Sequence, residues 1–94
     1  MELHRIDEVF VRVQQDQRLK AWHIALLLAV HVMALQQGRK SRIQVSRSRL
    51  MLLSHITSLP TFHKYFTQLQ QMNYIIYRPS YHPGMRSEID IIVL

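Results

Sequence analysis

The sequence predicts an α+β fold of four helices and a short three-stranded antiparallel sheet. Apolar residues recur at helical spacing in four segments, and three shorter segments alternate polar and apolar residues or are rich in β-branched and aromatic residues. The 94 residues, 48% of them apolar, can build one modest core and are too few for two. We therefore interpret residues 1–94 as one domain, with a helical part over 1–40 and a second part over 41–94.

The first 40 residues predict two helices. Over Arg5–Gln15 the apolar residues follow the spacing of an amphipathic helix, at Ile6, Val9, Phe10 and Val13. The run Val9-Phe10-Val11 within this segment is also compatible with a strand. Lys20–Gln37 is apolar nearly all round, which predicts a helix buried on most sides with Trp22 in the core. Gly38 then stands where a helix C-cap belongs.

A strand and two further helices are predicted next. Ser41–Ser46 alternates polar and apolar residues, which is typical of a short strand. Its last residue can cap a helix that runs to about His55. Ser58 can cap the following helix, which runs to about Met72. Pro60 suits the first turn of that helix, because the missing N–H is not needed there.

The helix that ends near Met72 has two distinct faces. Its apolar face is predicted to enter the core and consists of Phe62, Tyr65, Phe66 and Leu69. The opposite face presents Lys64, Thr67 and Gln71. This outward face contains neither an acidic residue nor a large aliphatic one.

Two strands joined by a loop complete the predicted elements. Asn73 tolerates the left-handed conformation that ends a helix. Tyr74–Arg78 is β-branched and aromatic and therefore predicts a strand. Pro79–Gly84 is dense in turn residues. Ser87–Leu94 alternates again, with its apolar side formed by Ile89, Ile91 and Val93.

This order of elements is that of a winged helix-turn-helix. Two helices are joined by a short turn, and a hairpin, the wing, follows at once. In such folds the first helix of the pair crosses the DNA backbone, and the second presents its outward face to the major groove. The wing can then reach phosphates or the minor groove. The fold therefore predicts duplex DNA as the partner.

We expect the DNA contacts to come from the helix pair and the wing. Lys64 can bond a guanine edge or a phosphate, and the carboxamide of Gln68 can pair with adenine. Arg86 is expected to contact phosphate from the wing. The complete predicted set is Arg47, Arg49, Ser58, Thr61, His63, Lys64, Thr67, Gln68, Gln71, Arg78, Tyr81 and Arg86.

The distribution of charge supports this expectation. The formal net charge is +6, and every acidic residue lies close either to the N-terminus or to the C-terminus. Between Arg18 and Ser87 there is no carboxylate, whereas that stretch carries ten lysine and arginine residues. Such a stretch repels itself unless a polyanion or solvent screens it. A merely soluble basic surface is the alternative interpretation.

Other classes of protein fit the composition less well. The absence of cysteine excludes disulfides and thiolate metal sites and suits the cytoplasm. The N-terminus does not resemble a signal peptide, and the longest apolar stretch, Ala21–Leu35, is shorter than the roughly 20 residues of a membrane span. The histidines lack the spacing of paired metal ligands. Without paired central carboxylates, a thiol or a glycine-rich loop, we expect no enzyme, no cofactor and no small-molecule substrate.

Part of the chain also resembles a known group of proteins. The carrying motifs are Ser46-Arg47-Ser48-Arg49-Leu50-Met51, Thr61-Phe62-His63-Lys64-Tyr65, Asn73-Tyr74-Ile75 and Tyr77-Arg78-Pro79-Ser80-Tyr81-His82-Pro83. Over residues 41–94 the chain resembles small winged-helix proteins of conjugative and mobilizable elements in gut anaerobes. The resemblance implies sequence-specific DNA binding, as a transcriptional regulator or as a factor in element transfer or excision.

Two other functions are compatible with the same elements. The recognition face can dock a protein partner instead of DNA, or the chain can be one half of a plasmid replication initiator, which normally has a second such domain. We also expect a homodimer on DNA, because one winged helix buries little groove surface. Arg5–Gln15 is the expected interface, since an apolar stripe beyond the main core must be covered.

Overall fold

The computed structural model describes residues 3–92, with side chains described for residues 9–92. It contains four helices and a three-stranded antiparallel sheet, which confirms the predicted α+β class. In chain order the elements are α1 (Leu3–Gln15), α2 (Ala21–Gln37), β1 (Ile43–Val45), α3 (Arg47–Ser54), α4 (Leu59–Gln71), β2 (Ile75–Arg78) and β3 (Ser87–Ile91). The number and order of the elements are those that the winged helix-turn-helix prediction required.

Local capping fixes the ends of the helices where the sequence predicted them. Gly38 adopts the left-handed conformation at the end of α2, with φ of 66°. The Oγ of Ser46 accepts a hydrogen bond from the Arg49 amide, and the Oγ of Ser58 accepts one from the Thr61 amide. Asn73, just beyond α4, has φ of 63°.

The sheet has the strand order β1-β3-β2, so the last strand lies in the middle. Ile89 of β3 is opposite Ile43 of β1 and Tyr77 of β2, and its side chain is fully buried. Ile91 is half-buried. Val93, predicted to share this side, lies outside the described residues.

One hydrophobic core joins the sheet to all four helices. The predicted core face of α4 is confirmed for Phe62, Phe66 and Leu69, whereas Tyr65 is half-buried. From α1, Val9 and Val13 are buried in this same core. The side chain of Ile6 lies outside the described residues. Two of the four stripe residues of α1 are thus covered within the chain, and Phe10 is half-buried, so the dimer interface expected there stays a prediction.

Eight residues of α2 are buried, as the prediction of a mostly buried helix requires, but one side of the helix is exposed. One side of α2 packs on α3, α4 and β1, but the opposite side has no such cover. Trp22, predicted to be core, is 39% exposed. Four further apolar side chains on α2 are exposed: Ile24, Leu28, Val32 and Leu35. A chain of this length supplies too few neighbouring elements to surround a long helix.

None of the helices in the described part of the chain is long and apolar enough to pass through a bilayer.

Candidate nucleic-acid interface

The outward face of α4 is exposed along its length. His63, Lys64, Thr67 and Gln71 are all exposed, and Thr61 is half-buried. The side chains on the opposite side of the helix are anchored in the core, and this burial fixes the rotation of α4 about its axis. The helix therefore presents donors and acceptors to solvent from a rigid base, and its sequence from 59 to 71 contains no acidic residue.

A groove of about 340 Å³ runs along one side of this face, between α4 and the start of α2. Lys64, Gln68 and Gln71 line it from α4, and Lys20 lines it from the residue before α2. Lys20 was not among the predicted contacts, because only the tertiary fold brings it beside α4. The lack of acidic residues between positions 17 and 87 was the available sequence signal.

Within this groove Gln68 is committed to another side chain. The backbone N–H of Lys20 donates to Nδ1 of His23 at 2.8 Å, so this nitrogen carries no proton. The opposite nitrogen, Nε2, therefore donates to Oε1 of Gln68 at 2.7 Å. Since the carboxamide oxygen is occupied and the side chain is half-buried, the bidentate pairing of Gln68 with adenine is not available in this conformation.

A second cleft, of about 180 Å³, lies on the other side of α4. Arg47 from the start of α3 and His63 from α4 both line it, together with Tyr77 of β2. Arg49 is exposed, and its guanidinium donates to Oε1 of Gln36 at 3.4 Å. Basic side chains thus lie on both sides of the outward face.

The wing strands hold an ion pair that the sequence analysis did not predict. The guanidinium of Arg78 donates to both carboxylate oxygens of Asp90 at 2.7 Å, and Glu88 lies 3.6 Å away. These contacts raise the pKa of Arg78. The hydrogen bonds from the Arg78 guanidinium, together with one from the backbone N–H of Arg42, lower the pKa of Asp90 to about 2. Arg78 is therefore neutralised within the protein.

A similar pair neutralises Arg18. Its guanidinium donates to Asp16 at 2.7 Å and 2.9 Å, and the Tyr74 hydroxyl donates to the same carboxylate at 2.8 Å. The hydrogen bond from Arg18 is the largest cause, and that from Tyr74 the next, of a pKa of Asp16 well below its usual range. Of the ten basic residues in the central stretch, Arg18 and Arg78 therefore have carboxylate partners from the two ends of the chain, which reduces the expected self-repulsion of the stretch.

The loop between β2 and β3 forms the tip of the wing. Tyr81 is 89% exposed, and Arg86 and Met85 are exposed beside it. Gly84 has φ of 83°, a conformation that favours glycine and turns the loop. Met85 was not predicted as a contact. The wing residues line a groove of their own, of about 590 Å³, which shares no lining residue with the two beside α4.

The structure thus sorts the predicted contacts into separate groups. Lys64, Gln68 and Gln71 share one groove, Arg47 and His63 share another, and the wing residues form the third. Ser58 acts as a helix cap. Across residues 9–92, no three histidine or carboxylate side chains converge as a metal site would require.

Comparison of the chain with protein-family models, with curated proteins and with solved structures gives no match.

Proposed function

We propose that this chain binds duplex DNA, with the outward face of α4 in the major groove and the wing beside it. The binding is sequence-specific, and transcriptional regulation or the transfer of a mobile element is the setting that fits it. The same proposal includes a cytoplasmic location and no catalytic activity.

The observation that carries the proposal is the acid-free outward face of α4 with basic side chains on both flanks. Lys64 lies on the face itself, Lys20 lies across one groove, and Arg47 lies across the opposite cleft. Apart from Arg18 and Arg78, the central basic residues form no ion pair with any carboxylate whose side chain is described. Such a surface suits the phosphates on either side of a groove.

The alternative of a protein-docking face has less support at α4. Of the large apolar side chains that are exposed in the described chain, α4 carries one, Leu59 at its first position, and positions 60–71 carry none. Protein interfaces usually centre on aromatic or aliphatic side chains, whereas this face carries lysine, threonine, histidine and glutamine. Its chemistry is that of hydrogen bonding to base edges and phosphates.

A salt titration tests the proposal. Five basic residues are free to contact phosphate near α4 and the wing: Lys20, Arg47, Arg49, Lys64 and Arg86. Neutralising about five phosphates gives a slope of about −4.5 in a plot of log affinity against log salt. Selection from a random duplex library supplies the preferred sequence. Fluorescence anisotropy with the selected duplex, over a series of salt concentrations, supplies the slope. The matched control is Arg39→Ala, which removes an exposed cation outside the three grooves and should leave the slope nearly unchanged.

Two results would count against the proposal. A slope near zero means that phosphates do not drive the binding. Failure to enrich any sequence from the library, with a steep slope, means that the basic surface binds DNA without sequence preference.

A further inference from the structure

A chain of two hydrogen bonds fixes the orientation of one carboxamide in the groove between α4 and the start of α2. The chain begins at the backbone N–H of Lys20, a group that can only donate, and this N–H donates to Nδ1 of His23 at 2.8 Å. The imidazole proton is therefore on Nε2, which donates to Oε1 of Gln68 at 2.7 Å. Because the position of the oxygen is decided in this way, the position of the NH₂ group of Gln68 is decided as well.

The NH₂ group of Gln68 is left without an acceptor. Within the described residues the side chain of Gln68 makes its one hydrogen bond to His23, and that bond uses the oxygen. The side chain is half-buried and lines the groove of about 340 Å³. His23 is 2% exposed, so the orientation of the carboxamide is set from the interior of the protein and not by solvent. The NH₂ group is thus a fixed donor that can bond a ligand in the groove.

Two lysines give the groove a positive charge. Lys20 lines it beside α2, and Lys64 lines it from α4. The ammonium group of Lys64 lies 5.4 Å from the centroid of the Tyr65 ring, and that ring packs edge-on against His23. The same buried histidine thus supports the carboxamide and the aromatic ring beside which Lys64 lies. Among the described residues, none that lines the groove is acidic.

We propose that this groove is a binding site for one phosphate group. The NH₂ group of Gln68 and the ammonium group of Lys20 donate to the phosphate oxygens, and Lys64 adds positive charge from the other side. A cation would find no carboxylate there, and the carboxamide oxygen of Gln68 is already occupied. The phosphate is one of the duplex backbone or one of a small phosphorylated ligand. The inference rests on the proposed function only for the first of these two sources.

A titration of the full chain with inorganic phosphate tests the site without DNA. Side-chain NH₂ signals of the ¹⁵N-labelled protein are followed by NMR at pH 7.5, up to about 50 mM phosphate, with potassium chloride of equal ionic strength as the reference. The signals of Gln68 should shift and saturate with a dissociation constant on the order of 1–10 mM, because few charge-assisted bonds to an exposed ligand bind weakly. Chloride should not reproduce the shift.

Two variants that carry the same chemical change show whether the groove is responsible. Gln68→Glu keeps an acceptor for His23 but replaces the NH₂ donor by a carboxylate oxygen, so it should weaken phosphate binding at least about tenfold. It also identifies the NMR signals of Gln68, because these disappear. The matched control is Gln14→Glu, at an exposed position of α1 outside the groove. Its affinity for phosphate should stay within about twofold of the wild type, since salt screens a distant exposed charge.

Methylphosphonate substitution shows whether the phosphate belongs to DNA. Each phosphate of the selected duplex is replaced in turn by this neutral group, and anisotropy measures the affinity. The wild type should lose affinity at every phosphate that it contacts. At one of these positions Gln68→Glu should gain affinity instead, because the neutral group no longer repels the introduced carboxylate. Lys20→Ala should reduce the wild-type loss at the same position, and Gln14→Glu should reproduce the wild-type profile throughout.

The two experiments together decide the site and the source of its phosphate. A reversal at one position of the duplex assigns the groove to the DNA backbone. A saturable shift with phosphate, without a reversal at any position, assigns it to a small phosphorylated ligand. If neither is seen, or if chloride shifts the signals of Gln68 equally and no position reverses, the inference is overturned while DNA binding stands. If no duplex is bound at all, the proposed function fails, and the phosphate titration alone decides the inference.

Discussion

The imidazole of His23 donates a hydrogen bond to the carboxamide oxygen of Gln68, at 2.7 Å, and thereby links α2 to the outward helix α4. His23 is only 2% exposed, so in the folded protein this N–H is shielded from water and has Gln68 as its acceptor. The ring of Tyr65 packs edge-on against His23, with 4.7 Å between the ring centroids, and encloses the bond further. The contact fixes the position of α4 relative to the start of α2 and hence the shape of the groove between them.

The first prediction separates the structural role of Gln68 from a role in DNA contact. Gln68→Ala should lower the free energy of unfolding by about 1–3 kcal/mol, because the buried N–H of His23 loses its acceptor. Gln68→Glu keeps an acceptor and should retain most of the stability. It should nevertheless weaken DNA binding about tenfold or more, since it places a negative charge between Lys20 and Lys64. Denaturant unfolding and anisotropy measure the two effects. Wild-type stability in Gln68→Ala would show that the bond does not stabilise the fold.

The second prediction compares two arginines of the wing. Arg86 is exposed and should contact phosphate, so Arg86→Ala should flatten the salt slope by about one unit and weaken all sequences about equally. Arg78 is already paired with Asp90, so Arg78→Ala should leave the slope nearly unchanged. Anisotropy over a salt series with both variants measures the difference. The prediction fails if Arg78→Ala flattens the slope and Arg86→Ala does not.

The third prediction concerns Lys64, the basic residue on the outward face of α4. Lys64→Ala should cost about 1–3 kcal/mol of binding and relax the preference at one base position, as expected when a base contact is lost. Selection from the same duplex library with the wild type and the variant measures the preference. Arg39→Ala is the control for loss of a positive charge. An unchanged preference in Lys64→Ala would mean that this lysine contacts phosphate alone.

Most of the local structure was predictable, because the signals for it lie within a few residues. The ends of α2, α3 and α4 follow from Gly38, Ser46 and Ser58, each of which acts on backbone groups nearby in the chain. The burial of Phe62 and Phe66 follows from helical spacing. That α4 contacts DNA stays a prediction.

The partners of the polar side chains were not predictable from the sequence. His23 and Gln68 are 45 residues apart, and Arg78 and Asp90 are 12 apart, so only the tertiary fold brings each pair together. The exposure of Trp22 has a similar cause: spacing shows that α2 is apolar all round but does not show how many elements are left to cover it.

The fourth prediction concerns the buried ring of Tyr74, whose hydroxyl donates to Asp16 at 2.8 Å. Tyr74→Phe should lower the free energy of unfolding by about 1–3 kcal/mol, because the bond to a charged acceptor is lost. The control is Tyr77→Phe, since Tyr77 is half-buried against Phe66 and its hydroxyl has no partner within the described chain. Equal stability of the two variants would contradict the prediction.

The same cluster also predicts sensitivity to acid. The folded state lowers the pKa of Asp16, so the stabilisation is complete above the unfolded value near 4 and is lost as the pH falls through the folded value. Asp16→Asn should therefore be less stable than the wild type at pH 7, and the difference should shrink below pH 4. Denaturant unfolding at both pH values measures it. A difference that does not change with pH would mean that the charge of Asp16 has no part in the effect.

The last prediction concerns His31, a buried residue of α2 that packs against Phe10 of α1. Its Nδ1 bonds the Leu27 carbonyl at 2.6 Å, and because a carbonyl only accepts, this nitrogen carries the proton. Its Nε2 is buried without a hydrogen-bond partner in the part of the chain that is described. Burial lowers the pKa of His31, although the bond to Leu27 opposes the shift. The folded protein therefore takes up a proton at lower pH than the unfolded chain, whose histidines titrate near 6.5.

It follows that His31 reduces stability as the pH falls from about 7.5 to 5, with a slope of at most about 1.4 kcal/mol per pH unit, and that this loss ends only below the folded pKa. His31→Leu removes both the titration and the unsatisfied nitrogen. The free energy of unfolding of this variant should match or exceed that of the wild type at pH 7.5, and the difference should grow towards pH 5. Denaturant unfolding at several pH values measures this difference, in which the contributions of the other histidines cancel. Thr67→Leu, at an exposed position with no titratable side chain, is the control and should show no such trend. If the advantage of His31→Leu is the same at pH 7.5 and pH 5, the folded protein does not resist protonation of His31, and the proposed origin of the pH dependence is wrong.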